Sequence, residues 1–245
     1  MRQFDPGLPD YRVRVSDRAR RVRLAVSPSE GLVVVVPRGF ASSRIDEIVA
    51  QHADWIERAL VRTAERRDHL ASAAAAGVPE TVDLPGIGLH WSVVLCPTKS
   101  ATVQARLVGT ELTLRGDVDD IAACLAAIRQ VVSRVARERL PLMLGGVEAE
   151  TGWSASRVTI RRQRTRWGSC SASRSLSLNE SLCFLPQHLV RYVLVHELAH
   201  TQRMDHSPVF WAVVERHEAA WRECRRELRD AWRHVPAWVD APARS

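Results

Sequence analysis

Two histidines four residues apart, with a glutamate directly after the first, stand in the segment Val195-His196-Glu197-Leu198-Ala199-His200. In an α-helix, residues i and i+4 project from one face, so His196 and His200 can share a metal ion. Neutral imidazoles at ~2.0–2.1 Å suit zinc. Glu197 sits where its carboxylate reaches a zinc-held water rather than the ion. Zinc brings the pKa of such a water toward ~7, and a glutamate that takes its proton acts as general base for attack on a carbonyl. A catalytic zinc needs three protein ligands and one open position. The third candidate is His206, six residues beyond His200 and directly before Ser207-Pro208, which reads as a helix cap followed by a helix-starting proline. A reversal over Thr201 to Asp205 brings His206 back to the other two. Such a motif arises by chance in roughly 1% of chains of this size. A His-Glu-His set in an otherwise apolar helix is costly unless something binds it. The expectation is one Zn2+ per chain, held by His196, His200 and His206, with Glu197 as catalytic base.

The elements that must position these groups are legible around them. Pro186 starts a helix whose apolar side carries Leu189, Val190, Val193, Leu194 and Leu198. Val158-Thr159-Ile160 and Leu176-Ser177-Leu178 read as short strands. Between them, Arg166-Trp167-Gly168-Ser169-Cys170 reads as a turn and strand edge that packs Trp167 and Cys170 beneath the zinc helix. Its backbone is a candidate for binding an extended peptide by strand addition. Arg164 and Arg166 are candidates to polarise a scissile carbonyl. Tyr192, one turn before His196, is a candidate to face the cleft, against a packing role. Asp205 is a candidate to fix a ligand ring's orientation, against a plain capping role. Phe210, Trp211 and Trp221 have helical spacing and read as core.

Farther from the motif, Tyr11 to Val15, Val22 to Val26 and Leu32 to Val36 read as strands, with a turn at Ser27 to Gly31. Ser42 or Ser43 offers a cap for an amphipathic helix (Ile45, Ile48, Val49, Trp55, Ile56, Ala59, Leu60) that reaches about Arg66. Residues Ala71 to Gly77 read as its end or a linker. Leu89 to Leu95, Thr102 to Val108 and Glu111 to Leu114 suggest a small antiparallel set. A long helix from about Asp119 carries Ile121, Leu125, Ile128, Val132 and Val135, with Pro141 kinking or stopping it and Gly145-Gly146 ending the region. The division expected is 1–75 and 76–245, with a catalytic core over 157–226; one continuous domain is the alternative.

Composition sets the outer bounds. Apolar residues make up 46% of the 245 positions and charged residues 26%, the balance of a folded globular protein. The formal charge is 35 − 28 = +7, and Lys99 is the single lysine, leaving 34 arginines. Such a skew has a bland source in a GC-rich coding sequence. Arginine is also dense over Arg12 to Arg23 and Arg157 to Arg166, two patches able to contact phosphates of a nucleic acid. No run approaches the ~20 apolar residues of a membrane span, and residues 1–6 lack a signal-peptide core, so a cytoplasmic location is expected. Five cysteines, an odd number with no CxxC pair, argue for reduced thiols rather than a disulfide framework.

At the quoted residues the chain resembles the YgjP-like metallopeptidase domain proteins, relatives of the SprT-like zinc metallopeptidases. The resemblance rests on Arg166-Trp167-Gly168-Ser169-Cys170-Ser171, Ser177-Leu178-Asn179, Leu185-Pro186, His196-Glu197-Leu198-Ala199-His200, His206-Ser207 and Phe210-Trp211. It covers most of Arg157 to Arg226. The N-terminal half matches more loosely, through Val33 to Pro37 and Ala53-Asp54-Trp55-Ile56. It implies an α+β fold with a zincin-like catalytic domain, a small sheet packed on the HExxH helix, beside the N-terminal β-rich region and amphipathic helix. The histidine spacing equals that of the metzincins, but Arg203 stands where their motif has glycine. A left-handed turn there costs about 1–2 kcal/mol without glycine, which favours the SprT-like route.

Three functions stay open from sequence. The first is a metallopeptidase acting on peptide or protein substrates. The second keeps the zinc but changes the bond, as a phosphohydrolase or nucleotide pyrophosphatase served by the arginines. The third is a nucleic-acid-binding protein with a structural zinc, against which Glu197 argues, since a structural site has no use for an unliganded carboxylate beside the ion.

Overall fold

A computed structural model of the protein describes residues 9–17, 19–27, 30–61, 63–64 and 77–239, and the chain falls into two compact units, Met1–Ala75 and Ala76–Ser245. The linker read at Ala71 to Gly77 lies, except for Gly77, outside the described residues. No helix among them is long and apolar enough to cross a membrane.

In the first unit, β1 (Tyr11–Val15), β2 (Arg23–Ser27) and β3 (Gly31–Val36) form a sheet in the order β1-β3-β2. β3 runs parallel to β1 and antiparallel to β2. The all-apolar strand takes the central place, where Leu32, Val34 and Val36 meet Ile45, Val49 and Ile56. The amphipathic helix is two pieces, α1 (Ile45–Gln51) and α2 (residues 53–61), broken at His52. The ring of His52 bonds the Ile48 carbonyl at 2.9 Å, competing with the helical ladder. Ser42 and Ser43 form a 3-10 turn with no side-chain cap bond, and Trp55 is 40% exposed instead of joining the buried stripe. The expected reach to Arg66 falls outside the described residues.

The second unit begins with β4 (Thr81–Leu84), β5 (Leu89–Pro97), β6 (Gln104–Val108) and β7 (Glu111–Gly116), in the order β4-β5-β7-β6. β5 and β7 are parallel, which corrects the all-antiparallel expectation. The β6–β7 hairpin has to present one strand to β5. β7 carries the fully buried Leu112 and Leu114, so it takes the interior and β6 the edge.

α3 (Ile121–Thr151) is capped by the Asp120 side chain, which accepts from the Ala123 N–H at 3.0 Å. It continues through Pro141 and Gly145-Gly146, against the expected stop, and ends at Gly152 in the left-handed conformation. Leu144 and Val147 are buried beyond the proline, as Leu140 is just before it, so the apolar stripe continues and offsets the ~3 kcal/mol an interior proline costs.

A second sheet follows, β8 (Arg157–Arg161), β9 (Gly168–Cys170) and β10 (Ser175–Asn179), in the order β8-β10-β9. β10 is parallel to β8 and antiparallel to β9, which leaves β9 on an edge. Then come α4 (Gln187–Ala199), α5 (Pro208–Glu215) and α6 (Trp221–Glu227). α4 is apolar on nearly every side and touches α3, α5, α6, β9 and the 3-10 turn Pro85–Ile87. A Cβ on Gly86 in that turn would lie 2.3 Å from the Leu182 carbonyl oxygen, so only glycine permits the approach.

Candidate active site

α4 holds His196 and Glu197 in its last turn, and His200 caps its end. Glu197 is 7% exposed and His200 8%. After His200 the chain reverses, with the Thr201 N–H donating to Leu198 and the Arg203 N–H to Ala199. Arg174 is the one non-glycine residue of positive φ among those described, so Arg203 turns the chain without the left-handed strain the sequence raised. Asp205 Oδ1 accepts from the Ser207 N–H at 3.1 Å and from Arg203 Nε at 3.3 Å, closing the turn just where Ser207-Pro208 opens α5.

The reversal returns His206 to α4. Its Nε2 lies 3.2 Å from Nε2 of His196, and one ligand atom from each of His196, His200 and His206 falls within 4.8 Å of the others. His200 Nδ1 lies 3.0 Å from the Arg203 carbonyl oxygen; as donor it fixes the tautomer and frees Nε2. Phe210 of α5, fully buried, packs against all three imidazoles, with ring centroids 5.1, 4.5 and 4.9 Å from His196, His200 and His206.

The donor set fits zinc. Bonds of ~2.0–2.1 Å in a tetrahedral shell put two ligand atoms ~3.3–3.4 Å apart, close to the His196–His206 separation of 3.2 Å. Burial, then the neighbouring imidazoles, push His196 down to about 3, and burial also lowers His200. Both shifts favour the neutral form a metal requires. Glu197 is pushed the other way, up to about 7 by burial, with the Arg166 charge opposing.

A cleft of about 430 Å³ opens beside the histidines, lined by Trp167, Tyr192, His196, Glu197, Trp211 and Arg225 among others. Tyr192 is buried, 5.8 Å centroid to centroid from His196, and burial pushes its hydroxyl up to about 12, so it stays a donor. Arg166 lines a separate cleft on the outer side of the β8–β10–β9 sheet, and Arg164 is exposed in the preceding loop. Asp205 bonds Ser207 and Arg203, while the His200 ring is fixed by the Arg203 carbonyl.

Several contributors were not singled out from sequence. Gly168 of β9 backs onto Glu197: a Cβ there would lie 2.7 Å from Glu197 Cγ and 2.8 Å from its Oε1. Asn179, fully buried, donates through Nδ2 to the carbonyls of Gln163 and Arg166, each at 2.8 Å, and accepts from the Ser181 N–H. It thereby pins the loop that carries Trp167. Arg225 lies over the Trp211 ring at 4.8 Å, and Trp211 stacks on Trp221 at 4.3 Å. The close set of a glycine between Trp167 and Ser169, and an asparagine ending a strand, was visible as type but not as contact. Trp232 stacks on Trp167 at 4.1 Å, tying the tail to the cleft wall.

Comparison with known proteins agrees with this picture. The family described as YgjP-like, metallopeptidase domain, matches residues 20–231. No curated protein sequence matches the chain. A solved structure similar to it is the metallopeptidase zymogen of Pyrococcus abyssi abylysin, at 24% identity over 37% of this chain and 94% of that one, with a TM-score of 0.32. That likeness is too distant to carry any residue's role across.

Proposed function

The chain belongs to the YgjP-like metallopeptidase domain family, and from that premise we propose that it is a zinc-dependent peptidase whose site is His196, His200, His206 and Glu197. The convergence of three imidazole donors within 4.8 Å carries the reading, with a buried carboxylate one residue along. The finer fold assignment, a zincin-like domain, rests on α4 lying beside the short sheet's edge strand. Zinc held there supplies Lewis acidity, polarising a carbonyl and acidifying a water.

The chain's own groups do the rest. His196 and His206 offer Nε2, and the Arg203 carbonyl holds the His200 ring so that its Nε2 points the same way. Glu197, hemmed by Gly168, is the general base: it takes a proton at its carboxylate and returns it to the leaving amine. Tyr192, kept protonated by burial and lining the cleft, is the proposed donor to the developing oxyanion. β9, an edge strand, offers unpaired backbone groups along which an extended peptide can lie.

Purified protein should contain about one zinc per chain. His200→Ala should lose it, and Glu197→Gln should keep it while losing peptide hydrolysis. Zinc-loaded protein that turned over nucleotides and no peptide would replace this reading with the phosphohydrolase one.

A further inference from the structure

The outer face of the β8–β10–β9 sheet is as polar as its inner face is apolar. Alternate residues of a strand share a face, so Val158, Ile160, Leu176 and Leu178 point to the core side, the two leucines fully buried. Arg157, Arg161, Ser175, Ser177 and Ser169 fall on the other side, in register Ser175 with Arg157 and Ser177 with Ser169. With Arg166 they line a cleft of about 370 Å³. Its lining holds three guanidinium groups and no carboxylate. None of the three arginines forms an ion pair with a described residue, whereas Arg14, Arg191 and Arg222 each meet a glutamate within 2.7 Å. Unpaired like charges side by side repel one another, and a bound anion relieves that repulsion. Serine hydroxyls interleaved between them add neutral donors.

The position of this cleft says which anion. It spans the sheet up to β9, whose free edge is also the strand that backs onto Glu197. A peptide added along β9 alternates its side chains between the two faces. Those on the histidine side enter the cleft beside Tyr192, and the intervening ones rise over Ser169 on the outer face, where Arg166 lines the near part of the cleft and Arg161 and Arg157 of β8 its far part. We propose that this arginine-serine face is a substrate subsite for carboxylate side chains, so that the enzyme selects peptides with an acidic residue close to the scissile bond. This rests on the peptidase reading above and adds a substrate class to it.

The test uses the zinc-loaded full chain and a quenched fluorogenic peptide library with Glu or Gln at each position flanking the cleaved bond. At one or more positions Glu should raise kcat/KM over Gln by roughly tenfold or more, as expected of charge-assisted bonds, mainly through KM. The ratio should shrink toward one in 0.5 M salt and in the double variant Arg161→Gln/Arg166→Gln. In parallel, zinc-loaded Glu197→Gln should bind a labelled Glu peptide more tightly than its Gln twin by fluorescence anisotropy. Cleavage with equal rates for Glu and Gln peptides overturns the subsite and leaves the peptidase reading standing. A ratio unmoved by the double variant does the same. Failure to cleave any member of the library overturns both. A single-stranded DNA oligonucleotide that binds through these arginines while the Glu peptide does not would assign the face to phosphates instead.

Discussion

Gly168→Ala puts the geometry of Glu197, the proposed base, under direct strain. The new methyl would sit 2.7 Å from Glu197 Cγ, 2.8 Å from Oε1 and 2.9 Å from Cδ. Carbon atoms rest at ~3.5–4.0 Å, so the carboxylate has to retreat by about 0.8 Å or more. Gly168 does not have positive φ, so alanine meets no backbone strain, and loss of glycine's unfolded-state freedom favours folding by ~0.4–1 kcal/mol. Overpacking costs ~1–3 kcal/mol, which that gain offsets only in part. Stability should therefore change by no more than about 2 kcal/mol, while a base displaced by about 1 Å costs on the order of 100-fold in rate. The assay pairs thermal unfolding and zinc content with turnover of a fluorogenic peptide. The expected result is a folded, zinc-bearing variant with kcat down roughly a hundredfold. Wild-type kcat with a refolded, zinc-loaded variant would show that Glu197 has no need of its present position.

Asn179→Ala removes two donors and an acceptor from a fully buried site and leaves the Gln163 and Arg166 carbonyls without them. It should lower stability by about 2–4 kcal/mol in denaturant titration, and a change under 1 kcal/mol would mean water replaces the amide. Phe210→Ala should cost about 3–5 kcal/mol and weaken zinc binding in a chelator competition, since one ring backs all three imidazoles. Burial, then Glu180, push the Cys183 thiol up to about 12 from 9.0. A folded-state pKa above the unfolded one favours the protonated thiol, so its contribution is complete below pH 9 and is lost as pH rises toward 12. Alkaline unfolding should accordingly be shallower in Cys183→Ala, and a thiol reagent at pH 8 should label Cys96 and Cys170 first, the two that are partly exposed.

Much of the site was legible because a helix converts spacing into position. HExxH fixed two histidines on one face, and Ser207-Pro208 fixed where the chain must restart after the reversal. The strands of the first unit were legible from alternation and from the apolar run of β3. What escaped depends on partners distant in the chain. β4 is four residues long, with too little pattern to announce itself, and the parallel pairing of β5 with β7 is set by which hairpin strand carries the buried leucines. Pro141 and Gly145-Gly146 gave local stop signals that packing of Leu144 and Val147 overrides. Gly168 and Asn179 act through close approach and buried hydrogen bonds, which residue type alone does not reveal. Arg225 comes to the cleft from α6, about thirty residues beyond the motif, through its place over Trp211.

The most direct check on the three-histidine centre is X-ray absorption at the zinc edge of the purified, zinc-loaded protein, with His206→Ala alongside. The account predicts one zinc per chain surrounded by nitrogen and oxygen scatterers at ~2.0–2.1 Å, with one imidazole fewer in the variant. A shell containing sulfur at ~2.3 Å, or a shell unchanged by loss of His206, would contradict it.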